Sequence, residues 1–87
     1  MGYKAQLRID TIKESTIIMP DGFSGWRLQN TGLWDITVMG VTIAKGEALD
    51  YLSLQPNVVW DTPINIVIPN VECSAVLHRI IYRPTND

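Results

Sequence analysis

The stretch Asn30-Thr31-Gly32-Leu33-Trp34-Asp35-Ile36-Thr37-Val38-Met39-Gly40-Val41-Thr42-Ile43-Ala44-Lys45-Gly46-Glu47 decides the fold class. Two runs of alternating apolar and polar residues flank Met39-Gly40, and a two-residue connection of this kind joins antiparallel strands. Pairing outward from the turn sets Val38 against Val41, Thr37 against Thr42 and Ile36 against Ile43. The register predicts Ile36, Val38, Val41 and Ile43 on a buried face and the two threonines on the other. Gly40 accepts the positive φ of so tight a turn. Met39 stands where Asn or Asp is usual, so the turn type stays open.

The segments on either side follow the same period of two. Trp26 and Leu28 alternate with Arg27 and Gln29 before Asn30-Thr31-Gly32 halts the run. Ser15 to Met19 is rich in β-branched residues and ends at Pro20-Asp21-Gly22. Tyr3, Ala5, Leu7, Ile9 and Thr11 alternate with Lys4, Gln6, Arg8 and Asp10, which predicts a strand with one wet face.

On the C-terminal side, 48–54 fits a strand or one to two helical turns, with a strand preferred, and Val58-Val59-Trp60 is a short extended run. Ile64 to Ile68 lies between Pro63 and Pro69, which predicts a short strand at a sheet edge. Ala75 to Arg83 also has the spacing of a helix face, but its β-branched content and Pro84 favour a strand. With about seven short, mostly antiparallel strands, the expected fold is all-β, a small β-sandwich or partly open barrel. At 87 residues, positions 1–87 are expected to form a single domain.

Composition excludes several function classes. At 46% hydrophobic and 18% charged, the chain is predicted to fold rather than remain disordered. The net charge is −2 and the basic residues are scattered, so a nucleic-acid partner is not expected. Cys73, the single cysteine, has no internal disulfide partner, which suits a reducing compartment. The N-terminus has no apolar signal region and no run is long enough to span a bilayer, so neither a signal peptide nor a membrane partner is expected. Gly2 does not read as a myristoylation site, because Gln6 stands where that motif requires Ser or Thr.

Reactive side chains are sparse. Cys73 and His78 are the one conventional nucleophile and base, yet five residues apart on a single strand they point to opposite faces. A turn near Cys73 would relax that constraint. Two Cys and His side chains fall short of a zinc site, and the carboxylates lack the dense spacing of a calcium loop. No catalytic, metal or cofactor site is expected, and the chain is not expected to be an enzyme.

The aromatic and loop residues are more informative. Trp26, Trp34 and Trp60 suit core packing, but the hairpin register carries Trp34 to the open end opposite Lys45. There it is either packed, or forms a cation–π pair or a flat contact surface. Met39 is an apolar residue at a hairpin tip, and Phe23 lies in the loop Gly22-Phe23-Ser24-Gly25. Phe23, Trp34, Met39 and Lys45 are therefore the candidate protein-contact residues.

The pattern Asn30-x-Gly32-x-x-Asp35-Ile36-Thr37-Val38-x-Gly40-x-x-Ile43-x-x-Gly46-Glu47 resembles segments of small β-sandwich virion proteins of tailed bacteriophages. These include auxiliary or decoration capsid proteins and head-fibre or tail components. The resemblance implies a non-enzymatic structural protein, assembled in the host cytoplasm, that contacts capsid or tail subunits and forms a homo-oligomer without a cofactor. The matched positions are turn and ladder positions, so no functional residue carries over. The competing expectation is a carbohydrate- or ligand-binding β-sandwich module with Trp34, Trp26 or Tyr51 as a stacking platform. Exposed, coplanar aromatics would favour it.

Overall fold

A computed structural model describes residues 2–52 and 58–85. Among them are eight strands and no helix: β1 (Tyr3–Ile12), β2 (Thr16–Ile18), β3 (Gly25–Asn30), β4 (Ile36–Val38), β5 (Val41–Ile43), β6 (Ala48–Tyr51), β7 (Ile64–Val67) and β8 (Ala75–Pro84). They form two antiparallel four-stranded sheets, ordered β1-β8-β3-β6 and β2-β7-β4-β5. The fold is a β-sandwich.

The central hairpin has the register its sequence predicts, Ile36 to Ile43, Thr37 to Thr42 and Val38 to Val41. Ile36, Val38 and Ile43 are buried, but Val41, next to the turn on the edge strand β5, is exposed. Met39 and Gly40 both have positive φ, 51° and 79°, as a type I′ turn demands. Between the sheets, Ile12, Phe23, Trp26, Leu28, Ile36, Val38, Ile43, Ile64, Ile66, Ala75 and Leu77 form one apolar cluster with Cys73. Alternation explains the membership: in β7 Ile64 and Ile66 point inward while Asn65 and Val67 point out.

Three further expectations change. The segment between Pro63 and Pro69 is not at an edge, since β7 lies between β2 and β4. Both prolines stand just outside the strand, so neither removes a ladder donor. Val58 to Trp60 forms no strand, whereas β6 confirms the strand preference for 48–51; residues 53 and 54 of the 48–54 segment lie outside the described residues.

The third change concerns β1. Its apolar residues Ala5, Leu7 and Ile9 face solvent, because the register pairs buried Ile12 with Ala75 and so turns the even-numbered residues inward. Asp10 is tolerated on that inner side because its carboxylate is ion-paired with Arg79. Strand β8 is longer than its partner β3, which covers it from Ala75 to Ile80. Beyond that point Ile81 to Pro84 pair with Gln6 to Tyr3 alone, a two-stranded ribbon projecting from the body. The molecule accordingly measures 47 × 19 × 17 Å, with a radius of gyration of 14.0 Å, against about 12 Å for a compact chain of this length.

Candidate interaction surfaces

The end of the sandwich that carries Trp34 is organised by Asn30, the last residue of β3. Its side chain is 1% exposed and fully used: Nδ2 donates to the carbonyls of Trp34 and Ile43, each at 2.9 Å, and Oδ1 accepts from Gly32 N–H at 3.0 Å. The Asn30 main chain adds a bond to the Glu47 carbonyl at 2.9 Å and accepts from Gly46 N–H at 3.0 Å. One residue thus fastens the 31–35 loop and the 44–47 turn to the sheet. Buried amides repay desolvation only when satisfied in this way.

The 31–35 loop is further laced to the 70–74 segment. Thr31 N–H donates to the Ser74 carbonyl and Leu33 N–H to the Glu72 carbonyl, both at 3.1 Å. Between these two bonds Gly32 lies against the opposite backbone; a β-carbon there would be 2.5 Å from Ser74 N and 2.7 Å from Cys73 Cα. Gly32→Ala should therefore cost about 1–3 kcal/mol, because backbone rather than a flexible side chain must yield. Urea unfolding of the variant measures this directly.

On this rigid loop Trp34 is 56% exposed, next to exposed Leu33, while Val71 on the neighbouring segment is 98% exposed. The Trp34 indole N–H donates to Glu72 Oε2 at 2.8 Å. The expected pairing of Trp34 with Lys45 is not formed: the hairpin ladder stops at Ile36 and Ile43, and Lys45 is an exposed turn residue. Sequence gave no signal for Glu72, which is 38 residues from Trp34 along the chain. Trp34→Phe should remove the readily quenched part of the tryptophan fluorescence while leaving stability within about 0.5 kcal/mol of the parent. Acrylamide quenching beside a urea curve checks both halves.

The other two candidates turn inward. Phe23 is 1% exposed and its ring lies 5.7 Å from the Arg79 guanidinium carbon, so it closes the core instead of offering a loop contact. The loop is pinned by Ser24 N–H to the Ile80 carbonyl at 2.8 Å and by Trp60 N–H to the Phe23 carbonyl at 2.9 Å. Met39 is half-buried against the core, and its N–H donates to the Asn65 carbonyl at 2.8 Å. What the apolar hairpin tip touches is the protein's own interior.

Trp26, Tyr51 and Trp60 form a cluster with ring centroids 5.1–5.4 Å apart and interplanar angles of 43° and 83°. Trp26 is buried, and Trp60 directs its indole N–H to the Thr62 carbonyl at 2.6 Å. Trp26 and Trp60 pack edge to face and Tyr51 is tilted against both, so the three rings make no flat platform. Cys73 and His78 are not brought together either. The buried Cys73 sulfur lies 3.6 Å from Asn70 Oδ1, whereas His78 stands on the outer sheet face between Ile9 and Arg27 in register. Among the described residues no cluster of three or more His, Cys, Asp or Glu side chains is arranged to hold a metal ion.

A second apolar surface is the outer face of β1, where Leu7 and Ile9 are 55% and 59% exposed beside partly buried Val76 and His78 of β8. No protein family model matches the sequence, and no curated protein and no solved structure matches it.

Proposed function

We propose that the chain is a non-enzymatic structural protein that works through protein–protein contacts in a symmetric assembly, as a capsid auxiliary, decoration, head or tail component of a tailed-phage virion. The observation that supports this most is the exposed apolar surface: Leu33, Trp34 and Val71 at one end, and Ala5, Leu7 and Ile9 along β1. Apolar patches of this kind on soluble proteins mark contact sites more often than scattered single residues do. The loop bearing Trp34 is already ordered by Asn30, so docking there freezes little additional backbone. The virion assignment rests on the resemblance of the Asn30 to Glu47 segment. The glycan-binding alternative has less support, since the clustered aromatic rings are tilted and Trp34 stands apart from them.

The test is to propagate the phage that carries the gene, purify particles on a density gradient and quantify the chain by mass spectrometry. It is expected in a fixed ratio to a capsid or tail protein. Presence in the lysate with absence from purified particles would overturn the reading.

A further inference from the structure

We infer that two copies of this chain join edge to edge through β1, antiparallel about a two-fold axis at Leu7, to make one continuous eight-stranded sheet. The inference rests on the reading of the chain as an assembly component. Strand β1 is the outermost of its sheet, and over Tyr3–Gln6 it belongs to a ribbon only two strands wide. Such a ribbon is marginal alone, and a long apolar edge strand is a template for pairing with another chain.

The main chain of β1 presents the required groups. Ile80 and Ser74 accept hydrogen bonds from Ser24 and Thr31 on the β3 side, and Thr85 N–H donates to the Gly2 carbonyl on the β1 side. By alternation, even-numbered residues of β1 bond to β8, and Ala5, Leu7 and Ile9 direct N–H and C=O to the open edge.

The side chains select a register. With Leu7 opposite Leu7 of the second copy, Ala5 meets Ile9, Gln6 meets Arg8 and Lys4 meets Asp10. Apolar residues then share one face and opposite charges the other. Sliding the pair by one step sets Gln6 against itself and Lys4 against Arg8, and the reverse step sets Arg8 against Arg8; both bring like charges together. A slip of odd parity sets apolar residues against polar ones. Lys4 forms no ion pair among the described residues, and Asp10 binds Arg79 through Oδ2, which leaves Oδ1 to accept from Lys4 of the second copy. The strand is thus complementary to itself in a single full-length register.

Sedimentation velocity of the whole chain tests this together with Leu7→Cys and Leu7→Lys, both at an exposed position that leaves the core untouched. The parent should dimerise with a dissociation constant of about 1–100 μM, as small interfaces do. Leu7→Lys should weaken dimerisation by about 100-fold or more, since it sets two like charges at the axis. Directly opposed Cα atoms are about 5.5 Å apart, within disulfide reach, so Leu7→Cys should give a covalent dimer on mild oxidation. Ile17→Cys, exposed on the other sheet, should not. A parent that stays monomeric at millimolar concentration, association indifferent to Leu7→Lys, or equal cross-linking at both cysteines would overturn the inference. A monomer found in virions refutes only the strand pairing, whereas a dimer absent from virions refutes only the virion reading.

Discussion

Ile36→Asp is expected to leave no folded domain. Ile36 is 1% exposed, lies on β4 opposite Ile43 and packs among the inward residues of both sheets. A carboxylate placed in this apolar cluster loses its water, and a buried unpaired charge costs several kcal/mol beyond the lost apolar contacts. The total stability of a chain this size is about 4–13 kcal/mol, from roughly 0.05–0.15 kcal/mol per residue. The substitution consumes most or all of it. Circular dichroism and size-exclusion chromatography should show an unfolded or aggregated chain, while Thr37→Asp, half-buried on the other face, should remain folded. Native spectra for Ile36→Asp would mean that the hairpin faces are reversed.

Asn30→Ala is expected to lower stability by about 3–5 kcal/mol. Three side-chain hydrogen bonds disappear together, and the Trp34 and Ile43 carbonyls and the Gly32 N–H lose the partner that replaced water. Each buried group left unsatisfied costs about 1–3 kcal/mol. With a urea slope near 1 kcal/mol/M for a small domain, the unfolding midpoint should fall by about 3 M or more. Asn30→Asp separates shape from donation. It keeps an acceptor for Gly32 N–H but turns a second oxygen toward two carbonyls, so it should be at least as unstable as the alanine variant. Retention of parental stability by Asn30→Asp would show that the amide donors are not what holds this end together.

The hairpin register was legible because both its turn and its alternation are local. The same alternation in β1 showed that its two faces differ without showing which one is covered. That choice is made by the pairing of Ile12 with Ala75, 63 positions away along the chain, and by the cation that Arg79 supplies to Asp10. Phe23 looked like a loop contact because glycines flank it, yet the loop folds back so that its ring fills the end of the core under Arg79. The prolines around β7 suggested an edge, although only a proline within the ladder would have imposed one. Of the four contact candidates, Trp34 and Lys45 are exposed and Phe23 and Met39 are drawn inward. The residues that shape the Trp34 surface, Asn30 and Glu72, act through a buried amide and a long-range hydrogen bond, neither of which leaves a periodic trace.

Amide hydrogen exchange along β1, followed from dilute to concentrated protein, tests most directly whether the open edge is a contact surface. In dilute solution the amides of Ala5, Leu7 and Ile9 should exchange quickly while those of β8 from Val76 to Ile80, with β1 on one side and β3 on the other, stay protected. As concentration rises, these three amides should become protected in step with dimer formation. Exchange at Ala5, Leu7 and Ile9 that does not change with concentration would contradict the pairing of β1 with a second copy.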